Sequence, residues 1–315
     1  MFNSDKQLRS PTERAALDDA QLWMLPRRKF LASAGVAIAA MALSKEAALA
    51  STDKPPSAEK LGATGHEREQ DPQARTNVLL VHGAWQGAWV WDQVVALLAL
   101  HGVNAHAFDL PGSGADQTPL HAVTLEAYAQ AIIDQVRAMP AGPVVLVGHS
   151  MGGAAITAAA SAAPDLFSRL VYLCAFLPRP GESVASLAKE GYARGGGGPK
   201  VELVDEGKAS RLIPESIAPI FFNDSSPEMV SGLLPRFRPQ ALAPVQTPAV
   251  WSNGFRQLPK TYIHCSLDLA LSSDLQLLMA KRADVTDVRT LNSGHEPFIS
   301  QPTNLAEMLI STTHL

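Results

Sequence analysis

The chain has 315 residues, 46% of them hydrophobic and 18% charged, enough apolar material for a large core, which excludes a disordered polar chain. A net charge of −4 offers no basic surface to a nucleic acid. Its two cysteines, Cys174 and Cys265, cannot build a disulfide framework; both lie in apolar strand-like runs and read as buried free thiols.

The first 50 residues stand apart from the rest of the chain. Pro26-Arg27-Arg28-Lys29-Phe30-Leu31 has the pattern of a twin-arginine export signal, a mildly apolar run extends from Phe30 to Leu43, and Ala48-Leu49-Ala50 fits a signal peptidase site. The run is about 14 residues, short of the roughly 20 that span a bilayer. The expectation is a periplasmic or secreted protein, exported by the twin-arginine route, with no stable membrane insertion after cleavage. Cleavage after Ala50 removes seven basic and five acidic residues and takes the net charge from −4 to −6. Residues 51–75 are polar, with Pro55, Pro56, Gly62 and Gly65, and read as a flexible linker.

From residue 76 a regular rhythm begins. Asn77 to Val81 reads as a buried strand, ending at His82-Gly83-Ala84-Trp85, and is followed by a helix from about Trp91 to His101 and a strand from Asn104 to Asp109. Leu110-Pro111-Gly112-Ser113-Gly114 is turn chemistry. A helix over Thr124 to Met139 has Thr124 as its N-cap and Leu125, Tyr128, Ile132 and Val136 on one face. Val144 to Val147 is the next strand, then a turn at Gly148-His149-Ser150-Met151-Gly152, then a small-residue helix from Ala154 to Ala163 and a strand from Leu170 to Cys174. The rhythm stops for about 70 residues (178–248), rich in Pro and Gly, carrying Gly195 to Gly198 and the apolar cluster Ile217 to Phe222. An insertion of that kind after a core strand suggests a lid over a site. It then resumes with a strand at Thr261 to Cys265, a helix near Asp274 to Arg282, a strand at Val285 to Leu291 and a helix from Asn304. Alternating strands and helices imply a mostly parallel sheet with helices on both faces.

The turn after the third strand carries the chemistry. Gly148-x-Ser150-x-Gly152 fits a nucleophile elbow, in which a serine stands on a sharp strand-to-helix turn and the flanking glycines let the two elements meet. That turn also aims the backbone N–H of Met151 at an oxygen bound beside the serine. A serine hydroxyl needs a base, and ligands in an open parallel sheet gather at the carboxyl ends of its strands. Of nine histidines, His295 follows the last strand in a Ser-Gly-His-Glu loop and suits that role, while His82 and His149 sit in turns already committed to shaping the site. The acid that orients the base should follow the strand ending near Cys265. Asp268 stands three residues beyond it, with Asp274 and Glu182 as rivals. There is no H-E-x-x-H, zinc knuckle or phosphate-binding loop, so neither a metal nor another cofactor is expected.

Residues 77–315 resemble the α/β-hydrolase family, and within it the branch of plant methylesterases, hydroxynitrile lyases and bacterial esterase relatives. The motifs are His82-Gly83-Ala84-Trp85-Gln86-Gly87-Ala88-Trp89, the elbow, Phe222-Asn223-Asp224-Ser225-Ser226-Pro227-Glu228, and Ser293-Gly294-His295. The resemblance implies a six-stranded parallel sheet, the triad Ser150, His295 and Asp268, and an oxyanion hole formed by the amides of Ala84 and Met151. It also implies a pocket bordered by Trp85, His149, Phe221 and Phe222, and a small-molecule ester as substrate. Lyases of the branch carry a threonine after the first-strand histidine and a lysine after the catalytic one; Gly83 and Glu296 stand there instead. An aspartate nucleophile is excluded by Ser150, and a non-catalytic ligand receptor is disfavoured by the intact triad. Neither the sequence nor the resemblance fixes the oligomeric state.

Overall fold

A computed structural model describes residues 76–313. The expected export signal, cleavage site and linker lie outside the described residues. Among those described, no helix is long and apolar enough to cross a membrane.

Six strands form one parallel sheet: β1 (Asn77–Val81), β2 (Asn104–Ala107), β3 (Val144–His149), β4 (Arg169–Leu173), and two later strands at Lys260–Cys265 and Asp287–Leu291. Helices α1 (Asp92–Leu100), α2 (Leu125–Ala138) and α3 (Gly152–Ala162) connect the first four. Between β4 and Lys260 the chain makes an insertion with α4 (Val184–Ala193), β5 (Val201–Val204), β6 (Ala209–Leu212), α5 (Pro214–Phe221) and β7 (Gln240–Ala241). The sheet is then completed by β8 (Lys260–Cys265), α6 (Ser273–Arg282) and β9 (Asp287–Leu291), and α7 (Pro302–Thr313) ends the described chain. The strand order is β2-β1-β3-β4-β8-β9, while β5-β6-β7 make a separate antiparallel sheet inside the insertion.

The central strands β1, β3, β4 and β8 are buried almost throughout because both faces are covered, whereas the edge strands β2 and β9 alternate in exposure. Along β1, Leu79 and Val81 join one core with Ile132, Leu146 and Tyr172, while Val78 and Leu80 join the other with Trp91, Val147 and Phe298. Thr124 caps α2 by accepting from the Ala127 amide at 3.1 Å, and the four positions expected on its inner face are buried.

Several boundaries differ from the sequence expectation. β2 ends at Ala107 rather than Asp109, because the Asp109 carboxylate turns to accept from the amides of Ala88 (2.6 Å) and Ala115 (2.8 Å). β9 starts at Asp287 rather than Val285, whose amide instead closes the end of α6 on the Ala280 carbonyl at 3.0 Å. The elbow helix α3 starts at Gly152 rather than Ala154, so both glycines belong to its first turn.

Those glycines are sites of closest approach. A Cβ on Gly152 would sit 2.6 Å from the His82 carbonyl oxygen, and one on Gly153 would overlap the Phe176 carbonyl oxygen. Backbone cannot yield as a flexible side chain can. Gly153→Ala is therefore expected to destabilise the protein by about 1–3 kcal/mol through overpacking. Gly232→Ala, where an added methyl meets nothing within 4 Å, should stay within about 0.5 kcal/mol of the parent. Urea unfolding of the two variants reads the contrast.

Candidate active site

Ser150 leaves β3 at φ +52°, a left-handed conformation costly for a residue with a Cβ. Its backbone is held from both sides: the amide donates to the Leu173 carbonyl at 3.3 Å, and the carbonyl accepts from Gly153 (3.1 Å) and Phe176 (2.9 Å). The strain is thus fixed by the sheet and by α3, and the side chain is left 8% exposed.

His295 and Asp268 come together from the loops after β9 and β8. His295 Nδ1 donates to Asp268 Oδ2 at 2.7 Å, and both residues are buried. With Nδ1 carrying the proton, Nε2 carries the lone pair. Asp268 Oδ1 accepts from the amides of Ala270 and Leu271, both at 2.8 Å, and Oδ2 also accepts from Gln276 Nε2 at 3.0 Å. The rivals stand elsewhere. Asp274 is exposed in the first turn of α6, and Glu182 binds the Arg179 guanidinium at 2.7 and 3.1 Å.

Sequence reasoning missed Gln276. It is fully buried on α6, its Oε1 accepting from the Cys265 amide at 3.0 Å while its Nε2 reaches Asp268. The available signal was an amide spaced three and four residues from buried Met279 and Ala280, on a helix face that should be apolar.

Ala84 and Met151 are both buried, and among the described residues no acceptor takes either amide. Trp85 stands at φ +63°, with its indole N–H donating to Ser210 (3.2 Å) and its amide to Gln240 Oε1 (3.4 Å). The Phe221 ring meets Trp85 at 6.2 Å, Phe237 at 5.8 Å and His295 at 5.4 Å, forming an aromatic wall beside the base. Phe222 is one ring further away, against Phe237 at 6.1 Å. Two surface clefts, of about 330 and 510 Å³, are lined by the insertion and by residues 88–115; Ser150, Asp268 and His295 line neither.

His149 supports the base from below. Its Nε2 donates to the His295 carbonyl at 2.9 Å and its ring packs 4.6 Å from the His295 ring; burial, then the neighbouring His295, holds its pKa well below the ordinary value. His82 is likewise kept neutral by burial, its Nδ1–H donating to the Gly83 carbonyl (2.7 Å) and its Nε2 accepting from the Leu110 amide (3.1 Å). Nitrogens of His149 and His295 and the Cys174 sulfur lie within 4.8 Å of one another. Each residue has one polar atom engaged: His295 Nδ1 on Asp268, His149 Nε2 on the His295 carbonyl, and the Cys174 thiol, kept protonated by burial, on that same carbonyl at 3.5 Å, while His149 Nδ1 has no partner among the described residues.

The family model described as the alpha/beta hydrolase family matches residues 78–308. The chain belongs to the alpha/beta hydrolase family. Among curated relatives, a pyrethroid hydrolase of Sphingobium wenxiniae is 31% identical over 244 residues, covering 74% of this chain and 86% of that protein. A putative chloroplastic methylesterase of Arabidopsis thaliana is 28% identical, covering 75% of this chain and 71% of its own. The crystal structure of a pyrethroid hydrolase from Sphingobium faniae JZ-2 aligns with a TM-score of 0.66 at 28% identity, over 76% of this chain and 97% of that one.

One member of this hydrolase site is an acid that no proton shuttle uses. Glu296 is fully buried, with Oε1 accepting from Gln86 Nε2 at 2.6 Å and Oε2 without a partner among the described residues. Burial pushes its pKa well above the ordinary 4.5, so the carboxyl is neutral where an exposed glutamate would be ionised. A raised folded-state pKa contributes stability below the unfolded value, and that contribution is lost as the pH rises toward the folded one. Glu296→Gln keeps the shape and removes the titration. The variant should gain stability over the parent as the pH rises above 4.5, with little difference below it, as read by denaturant midpoints across a pH series.

Proposed function

We propose that this chain is a carboxylic-ester hydrolase working through an acyl-enzyme on Ser150. The observation that carries the reading is the buried 2.7 Å hydrogen bond from His295 to Asp268, in a chain that also holds Ser150 in a strained elbow. Ser150 Oγ attacks the ester carbonyl carbon and passes its proton to His295 Nε2. Asp268 holds the Nδ1–H and stabilises the imidazolium that forms. The amides of Ala84 and Met151 donate to the developing oxyanion, where one donor is worth about 3 kcal/mol of barrier. The imidazolium then protonates the departing alcohol. Water, deprotonated by Nε2, cleaves the acyl-enzyme and releases the carboxylic acid. The aromatic wall of Trp85, Phe221 and Phe237 favours a small or medium apolar ester. The names of the pyrethroid and methyl-ester hydrolases among its relatives support the same class.

Ser150→Ala should abolish turnover of an aryl ester, and a fluorophosphonate probe should label Ser150 alone. Asp268→Asn should lower turnover by roughly 10³–10⁴, since it removes the charge and favours the wrong imidazole tautomer. Asp274→Asn should leave turnover unchanged, since that side chain is exposed in the first turn of α6. Equal activity of the two aspartate variants would remove Asp268 from the mechanism.

The pair Arg27-Arg28 supports export by the twin-arginine route. Arg27→Lys with Arg28→Lys keeps the charge but loses the planar guanidinium donors, and should trap the precursor in the cytoplasm. Cell fractionation and the mass of the exported chain, starting at Ser51, check this.

A further inference from the structure

The insertion reaches both loops that hold the acid and the base. Asn223 Nδ2 donates to the Leu267 carbonyl at 2.9 Å, and Leu267 immediately precedes Asp268. Asp224 Oδ2 accepts from the Gly294 amide at 2.7 Å, and Gly294 immediately precedes His295. The two loops also grip each other, through Ser266 N to the Leu291 carbonyl and Leu267 N to the Ser293 carbonyl, both at 3.0 Å. Adjacent residues of one short segment thus hold the residue before each partner of the His295–Asp268 pair. The fit is close on the base side. A Cβ on Gly294 would lie 2.5 Å from Asn223 Oδ1 and 2.7 Å from Asp224 Oδ1, so only glycine lets the segment lie against the loop.

We propose that Asn223 and Asp224 are positioning residues: by clasping the Leu267 carbonyl and the Gly294 amide they set the mutual geometry of Asp268 and His295. The proposal rests on the esterase reading of Ser150, and it gives the insertion a part in the chemistry beyond covering the site. Both side chains act through backbone groups of the two loops, so the effect belongs in kcat. Small displacements of a catalytic base are costly, on the order of 10²-fold for about 1 Å.

Asp224→Ala should lower kcat roughly 10- to 100-fold with KM for a small aryl ester within about twofold, and should slow fluorophosphonate labelling of Ser150 in parallel. Asp224→Asn keeps an oxygen to accept from the Gly294 amide and should recover most of the loss. Asn223→Ala removes an exposed side chain that the fold does not need, and should lower kcat about three- to tenfold with KM unchanged. This variant carries the test even where Asp224→Ala fails to fold. Parent-level kcat in Asn223→Ala overturns the clasp, as does an Asp224→Asn enzyme no better than a folded Asp224→Ala. Ser150→Ala in the same assay separates the two readings. Retained turnover there removes the esterase mechanism itself, whereas a dead Ser150→Ala beside parent-like Asn223 and Asp224 variants removes the clasp alone.

Discussion

A carboxylate taken out of water must be met by donors on every side, and Asp268 is the point where this chain satisfies that demand. Two backbone amides, the Gln276 side chain and the His295 ring converge on its two oxygens. Because each donor has a fixed position, the carboxylate has one orientation, and so does the imidazole bonded to it. The elements that deliver those donors fall into place around this need: the turn after β8, the buried face of α6 and the loop after β9. Each oxygen accepts from two donors, so removing one leaves a buried oxygen with a single partner, which is a costly kind of loss.

The other polar groups of the site are arranged to stay neutral. His82, His149, Cys174 and Glu296 are all buried, and burial moves each toward its uncharged form. Asp268 is the acid bonded directly to the base. An imidazolium forming on His295 meets one dominant counter-charge at hydrogen-bond distance, in surroundings that screen it weakly. Glu296 follows His295 directly in sequence, yet its carboxyl is taken up by Gln86, away from the Asp268–His295 bond.

Much of this was legible in the sequence. The core strands showed as β-branched runs because both sheet faces are covered, and the elbow showed because its glycines are forced by the contacts of α3 with the His82 and Phe176 carbonyls. Strand ends pointed to His295 and narrowed the acid to a few carboxylates, among which the family resemblance favoured Asp268. The rest depended on partners far apart in the chain. Gln276 looks like any surface amide until α6 is turned toward Asp268, and Asn223 and Asp224 look like turn residues until the insertion folds back. The small β5-β6-β7 sheet escaped notice because its strands have four residues or fewer and carry Glu202, Ser210 and Arg211 among their apolar positions. Asp109 read as the end of a strand, whereas its carboxylate is spent on two amides of neighbouring loops.

The pairing of β4 with β8 has a consequence for the order in which the molecule assembles. Leu170 lies opposite Lys260 in the sheet, with the whole insertion between them in the chain. Closing so long a loop raises the entropic cost only logarithmically, but such non-local contacts form late. The nucleophile belongs to an earlier, more local group of strands, β1 to β4, while the acid and the base arrive together on β8 and β9. A chain caught before that docking would display its serine with nothing to accept the proton. Secondary structure in the first half would then precede reactivity, and the enzyme would stay chemically silent until its last two strands joined the sheet.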